Sequence, residues 1–432
     1  MTASGEPLPR TTAASPPAAE VRVGRDRMLY NNGLAVGVLG GAVTSVALPS
    51  LALITLKATP FEMSVLYAAQ RFPPAVTALF GGAVVDRHRK LALLTWGKAA
   101  GGVLLLMVPL GAWLGFLSLP LLCAVGLLLA AVNDVSSTAG ISYLPSLAEG
   151  ERLAAANSKM GALFSFTDAA GSYLASALIA LLGTSRAILA DVASYIISAW
   201  CMTRIRTPEP PPMPRPEGST LLGEIREGLA YTVRHPVLWP VVRANTALAL
   251  ALTAWDVLFL IYVVRQLHWS PAVLAVVMGC ASVGGVAGAL AGRRLARPRG
   301  TWWGVGPLLL GALAVQPLVL VPVLFAAPGL GWQIAIGGCV TARFMGATAH
   351  GSTQRSVRQG VCEDRFQGRQ HAIGTWLTFG PRFLSALAAG GLVSVIGLVP
   401  TMSVAALATS GGFVVLLSPI RRLRAMPTPT GA

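Results

Sequence analysis

The sequence predicts an all-α integral membrane protein with twelve transmembrane helices in two six-span halves. Three observations carry this. Only 12% of the 432 residues are charged and 54% are hydrophobic, with mean hydropathy +0.65, whereas soluble globular chains carry about 25% charged residues. Apolar runs recur along the whole chain, separated by polar, arginine-bearing breaks, and at about 20 residues per span the length accommodates about twelve. Finally, one phrase occurs twice, 206 residues apart (288 − 82): Gly82-Ala83-Val84-Val85-Asp86-Arg87 and Gly288-Ala289-Leu290-Ala291-Gly292-Arg293. Each copy closes an apolar run and is followed by more Arg or Lys, as duplication of a membrane bundle would leave it.

The elements follow in order. Residues 1–28 are rich in Ala, Pro, Ser and Thr and lack the apolar centre of a signal peptide, so they read as a disordered cytoplasmic tail ending in Arg22, Arg25 and Arg27. Spans are expected at about 29–55, 62–84, 91–115, 118–142, 156–182 and 186–204, which make a first bundle over 29–204. In the linker, 205–236, Pro208, Pro210, Pro211, Pro212, Pro214 and Pro216 form a semi-rigid spacer. After it Leu221, Leu222, Ile225 and Leu229 recur at helical spacing opposite Glu224, Arg226 and Glu227, which predicts an amphipathic helix at the membrane surface. Spans at about 237–265, 271–292, 302–326, 330–352, 370–396 and 399–419 make a second bundle over 237–419, and 420–432 is a second cytoplasmic tail.

Alternating the loops across the bilayer puts nearly every basic cluster on one side, from Arg87, Arg89 and Lys90 to Arg421, Arg422 and Arg424. The other side keeps only Lys57, Arg186 and Arg265. This asymmetry places both termini in the cytoplasm of a multi-pass cell-membrane protein. It also explains the net charge of +16 without nucleic acid. The five cysteines lie far apart, so neither a disulfide framework nor a metal cluster is indicated.

An ionised group deep in a span costs about 2.5–3.5 kcal/mol on insertion scales and usually faces the bundle interior. Asp134, Asp168 and Asp256 are deep acids; Arg71, Arg343 and Arg382 are deep bases. Three against three leaves a cavity nearly neutral, with the acids read either as proton carriers or as partners in buried ion pairs that fix helix register. Asp191 lies closer to a span end, where a snorkelling or capping role is expected. Asn32, Gln70 and Asn133 are cavity candidates or helix-to-helix hydrogen-bonding groups, and Trp255 and Trp376 are candidates for stacking on a substrate. Gly284, Gly288 and Gly292, four apart, predict close helix contact. The five histidines are scattered and no phosphate-cradling glycine loop precedes Lys-Ser or Lys-Thr. Such a chain is expected to be no enzyme, to hold no cofactor or metal, and to draw on an ion gradient.

Gly82 to Lys90 resembles the signature between the second and third spans of the major facilitator superfamily: Gly, three small or apolar residues, Asp-Arg, then basic residues. Tyr143-Leu144-Pro145-Ser146-Leu147 with Glu151-Arg152-Leu153 is similar to a loop of its macrolide-efflux and enterobactin-exporter branch. Arg234-His235-Pro236-Val237-Leu238 and Ser418-Pro419-Ile420-Arg421-Arg422 look like the same branch. The resemblance implies two pseudo-symmetric six-helix bundles around a central cavity, exchanging access by rocking. It also implies a cytoplasmic latch made of Gly82, Asp86, Arg87 and Lys90, because a carboxylate at a helix end can gain and lose cationic partners across a seam. In the second copy Gly292 takes the aspartate's place, so the latch is one-sided. Two family features are missing: the first-span acid, replaced by Gly40-Gly41, and the fifth-span Gly-Pro step, replaced by Gly171-Ser172. The implied function is monomeric, proton-driven export of a small amphipathic compound such as an antibiotic, drug or other natural product, with the substrate, protons and the lipid bilayer as partners. Siderophore export and a non-transporting membrane sensor or scaffold are the alternatives.

Overall fold

The structure is a computed structural model, and it describes residues 17–147, 171, 174, 175, 177–179, 181–207, 209, 221–295, 311–363 and 366–417. Among these every regular element is helical. The first half contains α1 (Pro17–Ser50), α2 (Pro60–Arg71), α3 (Pro73–Asp86), α4 (Lys90–Leu114), α5 (Leu119–Tyr143) and α6 (Thr184–Thr203). The linker helix is α7 (Leu221–Arg234). The second half contains α8 (Leu238–Arg265), α9 (Pro271–Leu295), α10 (Leu320–Phe325), α11 (Leu330–Val361), α12 (Gln367–Phe379), α13 (Arg382–Ile396), α14 (Leu398–Ala408) and α15 (Gly411–Leu417). Six helical stretches among the described residues are long and apolar enough to cross a membrane: Val23–Thr55, Lys90–Leu114, Leu119–Tyr143, Leu238–Arg265, Arg369–Ile396 and Leu398–Leu416. Most of the fifth expected span, with Asp168, and residues 302–310 of the ninth lie outside the described residues.

Local chemistry explains the breaks. Thr59 and Glu62 close a reciprocal capping box at the start of α2, with Pro60 in the first turn. The second expected span is divided at Phe72, because Pro73 and Pro74 bring no N–H to continue the ladder. Gly380-Pro381 divides the eleventh between α12 and α13 in the same way. The close approach expected of Gly284 and Gly288 is present: a Cβ at either would run into the Thr341 or Met345 carbonyl of α11.

Two expectations need correction and a third is extended. A tail reaching residue 28 is expected, but α1 starts at Pro17. Its Asp26 is buried and accepts hydrogen bonds from the amides of Arg206 (2.9 Å) and Thr207 (2.8 Å) and from the Thr207 hydroxyl (2.8 Å), which ties it to the start of the linker. The tenth span continues past 352 to Val361. The amphipathic helix α7 forms, but it also docks on the second half: Glu227 pairs with Arg369, and Tyr231 stacks on Phe366 at 4.2 Å. Leu222, about 100° or more around the helix from that docked face, stays exposed and free for the membrane surface.

The apolar core shows how the halves meet. On the face away from the basic clusters one continuous core joins Leu51, Leu53 and Met63 of the first half to Leu260, Trp269 and Ala386 of the second. Arg265 Nη2 bridges the seam there, donating to the Ala58 carbonyl at 2.6 Å. Towards the basic face the core splits into two clusters, Tyr30–Tyr143–Met202 in the first half and Val237–Val241–Leu416 in the second. The buried apolar core is therefore continuous across the halves at the far face and divided between them at the basic face.

Candidate functional site

Two broken helices build the centre of the molecule. Arg71 ends α2 just before the Phe72-Pro73 break, and Arg382 opens α13 just after Gly380-Pro381. Phe72 and Phe383 meet edge-on across the seam at 5.2 Å. The two guanidinium groups converge on Asp256 of α8, each with a nitrogen 4.0 Å from its Oδ2. Arg382 also donates from Nε to the Thr253 hydroxyl at 2.5 Å.

These groups line a cavity of about 350 Å³ that also takes in Ser45 and Val46 of α1, Tyr67, Trp255, Phe259, Leu260 and Arg343. The Trp255 ring stacks on Phe259 at 5.6 Å, and the Arg343 guanidinium lies over it at 4.4 Å. Gln316 fixes the backbone behind Arg343 by donating to its carbonyl at 3.1 Å. Among the described residues three arginines face one carboxylate here, a formal charge of +2 (3 − 1). The nearly neutral cavity read from the sequence also counted Asp168, which lies outside the described residues.

Asp134 is absent from that count because it faces a second cavity, of about 370 Å³, with Gln70, Thr77, Ser137, Thr138 and Thr375. Its carboxylate accepts a hydrogen bond from the Thr77 hydroxyl at 2.8 Å. Arg71 and Arg382 line both cavities and form the partition between them.

Several sequence candidates sit elsewhere. Asn133 accepts from the Tyr195 hydroxyl at 2.9 Å inside the first half. Trp376 is no stacking platform: its indole N–H donates to the Ala75 carbonyl at 3.0 Å, a strut between α12 and α3. Asn32 is exposed near the basic end of α1 and lines neither cavity. In the signature, Gly82 belongs to α3, which ends at Asp86, and the side chain of Asp86 lies outside the described residues. Arg87 is exposed, and the Lys90 and Leu91 amides at the start of α4 donate to Glu209 at 2.6 and 3.3 Å.

Sequence reading missed Glu209, which is hidden among prolines, and Arg265. It also misjudged Asp191, which is buried rather than snorkelling. Asp191 accepts from the Thr44 hydroxyl at 2.5 Å and the Ser194 hydroxyl at 2.7 Å. The available signal was Gly40, where any Cβ would overlap Ser194 and Asp191.

Compared with known proteins, residues 33–380 match the Major Facilitator Superfamily. No curated protein matches the sequence. Among solved structures, the POT family transporter PepTSo superposes with a TM-score of 0.72 at 13% identity, covering 94% of this chain and 99% of that one. The nucleoside transporter NupG gives 0.70 at 11% identity, covering 93% and 100%. A bacterial homologue of the iron transporter ferroportin gives 0.70 in its inward-facing state at 16% identity, covering 93% and 99%, and 0.59 in its outward-facing state. At these identities the likeness is one of fold.

Proposed function

This chain belongs to the Major Facilitator Superfamily, a multi-pass membrane protein of transport rather than an enzyme, and on that premise we propose that it exports a small amphipathic compound by alternating access, energised by the proton-motive force. The observation that carries this reading is the central cavity, which mixes aromatic walls with convergent charges at the seam between the halves. The apolar core is continuous across the seam at one face and divided at the other, in keeping with one station of a rocking cycle. Export, rather than uptake, is supported by the resemblance of Tyr143-Leu144-Pro145-Ser146-Leu147 and Ser418-Pro419-Ile420-Arg421-Arg422 to the macrolide-efflux and enterobactin-exporter branch. The basic face is taken as the cytoplasmic one by the positive-inside rule, which puts both termini in the cytoplasm; the proposed transporter acts as a monomer in the cell membrane.

Of the described acids in the cavities, Asp134 is the one placed to exchange a proton. Its partner is a hydroxyl, which can donate to a carboxylate or accept from a carboxylic acid. Asp256 instead faces two guanidinium groups, each with a nitrogen 4.0 Å from its Oδ2. A second reading, siderophore export, is favoured by the excess of arginine over carboxylate in the central cavity. Everted membrane vesicles test the proposal with a panel of fluorescent amphipathic probes. Uptake of at least one should depend on the wild-type protein, stop on addition of an uncoupler, and be lost in Asp134→Asn. Uptake that persists with the uncoupler would remove the energetic claim.

A further inference from the structure

Arg343 is the central-cavity group that the protein itself leaves least satisfied. It is 3% exposed, yet its Nε and Nη2 find no hydrogen-bond partner, and among the described residues it makes no ion pair. Trp255 covers one face of its guanidinium, and Gln316 holds its backbone in place. A buried guanidinium with unfilled donors is unfavourable unless something else fills them. Arg71 and Arg382 stand in the same cavity and share one carboxylate at the outer limit of ion-pair distance.

Resting on the transport reading above, we propose that the cargo is a small organic anion. Its carboxylate, phosphate or sulfonate oxygens fill the donors of Arg343 and engage Arg71 and Arg382, and its aromatic or aliphatic body lies against Phe259, Leu260 and Tyr67. Planar guanidinium forks match paired oxygens, and an anion offsets the +2 that the described residues bring to the cavity. A cationic cargo would meet three like charges and a single carboxylate already engaged by two of them. The apolar wall makes room for more than an inorganic ion.

Purified full-length protein in detergent tests this with three probes of matched shape: 2-naphthoate, 2-naphthylmethanol and 2-naphthylmethylammonium, with binding read by tryptophan fluorescence and by thermal shift. Naphthoate should bind at least about tenfold more tightly than either of the others. Arg343→Gln should remove most of that preference and leave the alcohol unchanged. Asp256→Asn carries the sign of the effect, because it removes the carboxylate that competes for Arg71 and Arg382 and should tighten naphthoate. Naphthoate binding no tighter than the alcohol, or weakened by Asp256→Asn, overturns the proposal. The transport reading stands or falls separately: anion-selective binding without flux in vesicles sinks transport and keeps the cargo class, whereas flux of neutral or cationic probes with no preference for the anion does the reverse.

Discussion

Arg265→Ala should loosen the closed face of the protein. Lys57 occupies the left-handed region (φ 54°), at the turn where the carbonyls of Lys57 and Ala58 are presented to Arg265. Arg265 Nη2 lies 2.6 Å from the Ala58 oxygen and 3.5 Å from that of Lys57, so one charge-assisted hydrogen bond is firm and the other marginal. A firm bond of this type contributes about 1.5–3 kcal/mol when buried; Arg265 is exposed, so about 1 kcal/mol is the reasonable figure. That bond exists only while the far face is shut, and losing it shifts the equilibrium toward the opposite opening by about fivefold. The assay places one cysteine at Ser45, on the cavity wall, in a protein whose five native cysteines are replaced, and measures its labelling by a membrane-impermeant maleimide from the far side. Arg265→Ala should raise the labelling rate about fivefold, with Arg265→Lys in between. A rate that Arg265→Ala leaves unchanged would show that the apolar core around Leu51, Leu260 and Trp269 closes this face without the arginine.

Removing the Asp26 carboxylate should destabilise the first half, because three donors lose a buried acceptor: Asp26→Ala should lower denaturation stability in detergent by about 2–4 kcal/mol. His235 accepts from the Val237 and Leu238 amides at the start of α8, and burial lowers its pKa, partly offset by Glu363. The unfolded chain therefore binds the proton more readily; the contribution is whole above the unfolded value of about 6.5 and is lost as pH falls through the lower folded value. Melting temperature should drop between about pH 7.5 and about pH 5.5, and the drop should shrink in His235→Asn, whose side-chain oxygen still caps the helix. In the repeated phrase, Asp86→Asn should slow transport while Gly292→Ala changes it little; equal losses would remove the one-sided latch.

Six of the apolar runs coincide with helices long and apolar enough to cross a membrane, whereas the breaks at Phe72-Pro73-Pro74 and Gly380-Pro381 fall inside stretches read as single spans, because run length registers apolarity and not the missing proline N–H. What sequence could not supply was angle. Neighbouring residues on a helix point about 100° apart, so Asn133 turns toward Tyr195 while Asp134 turns toward Thr77. The same uncertainty made six deep charges look like one balanced set, when Asp134 and Asp256 face different cavities. Asp26 and Glu209 escaped notice for another reason. Both lie in segments whose composition reads as tail or spacer, and their partners are backbone amides, which carry no sequence signature.

Charge in the central cavity also decides how a gradient can be used. Asp256 and an anionic cargo compete for the guanidinium groups of Arg71 and Arg382. A proton taken up by Asp134, on the far side of the same two arginines, removes a negative charge that competes with the cargo for them, and by linkage the bound cargo holds that proton more tightly. Proton and anion therefore tend to cross together. Export then needs a cargo that takes out more negative charge than the proton brings: a dianion leaving with one proton moves one net negative charge outward, which an inside-negative potential favours by about 2.3 kcal/mol per 100 mV. A monoanion leaving with one proton is electroneutral and would instead be drawn inward by the pH difference. In everted vesicles, dissipating the potential with valinomycin and potassium should stop uptake of a naphthalene dicarboxylate, while nigericin, which dissipates only the pH difference, should increase it. The opposite pair of responses would mean that the proton is exchanged against the cargo, and that Asp134 and the arginines do not couple the two.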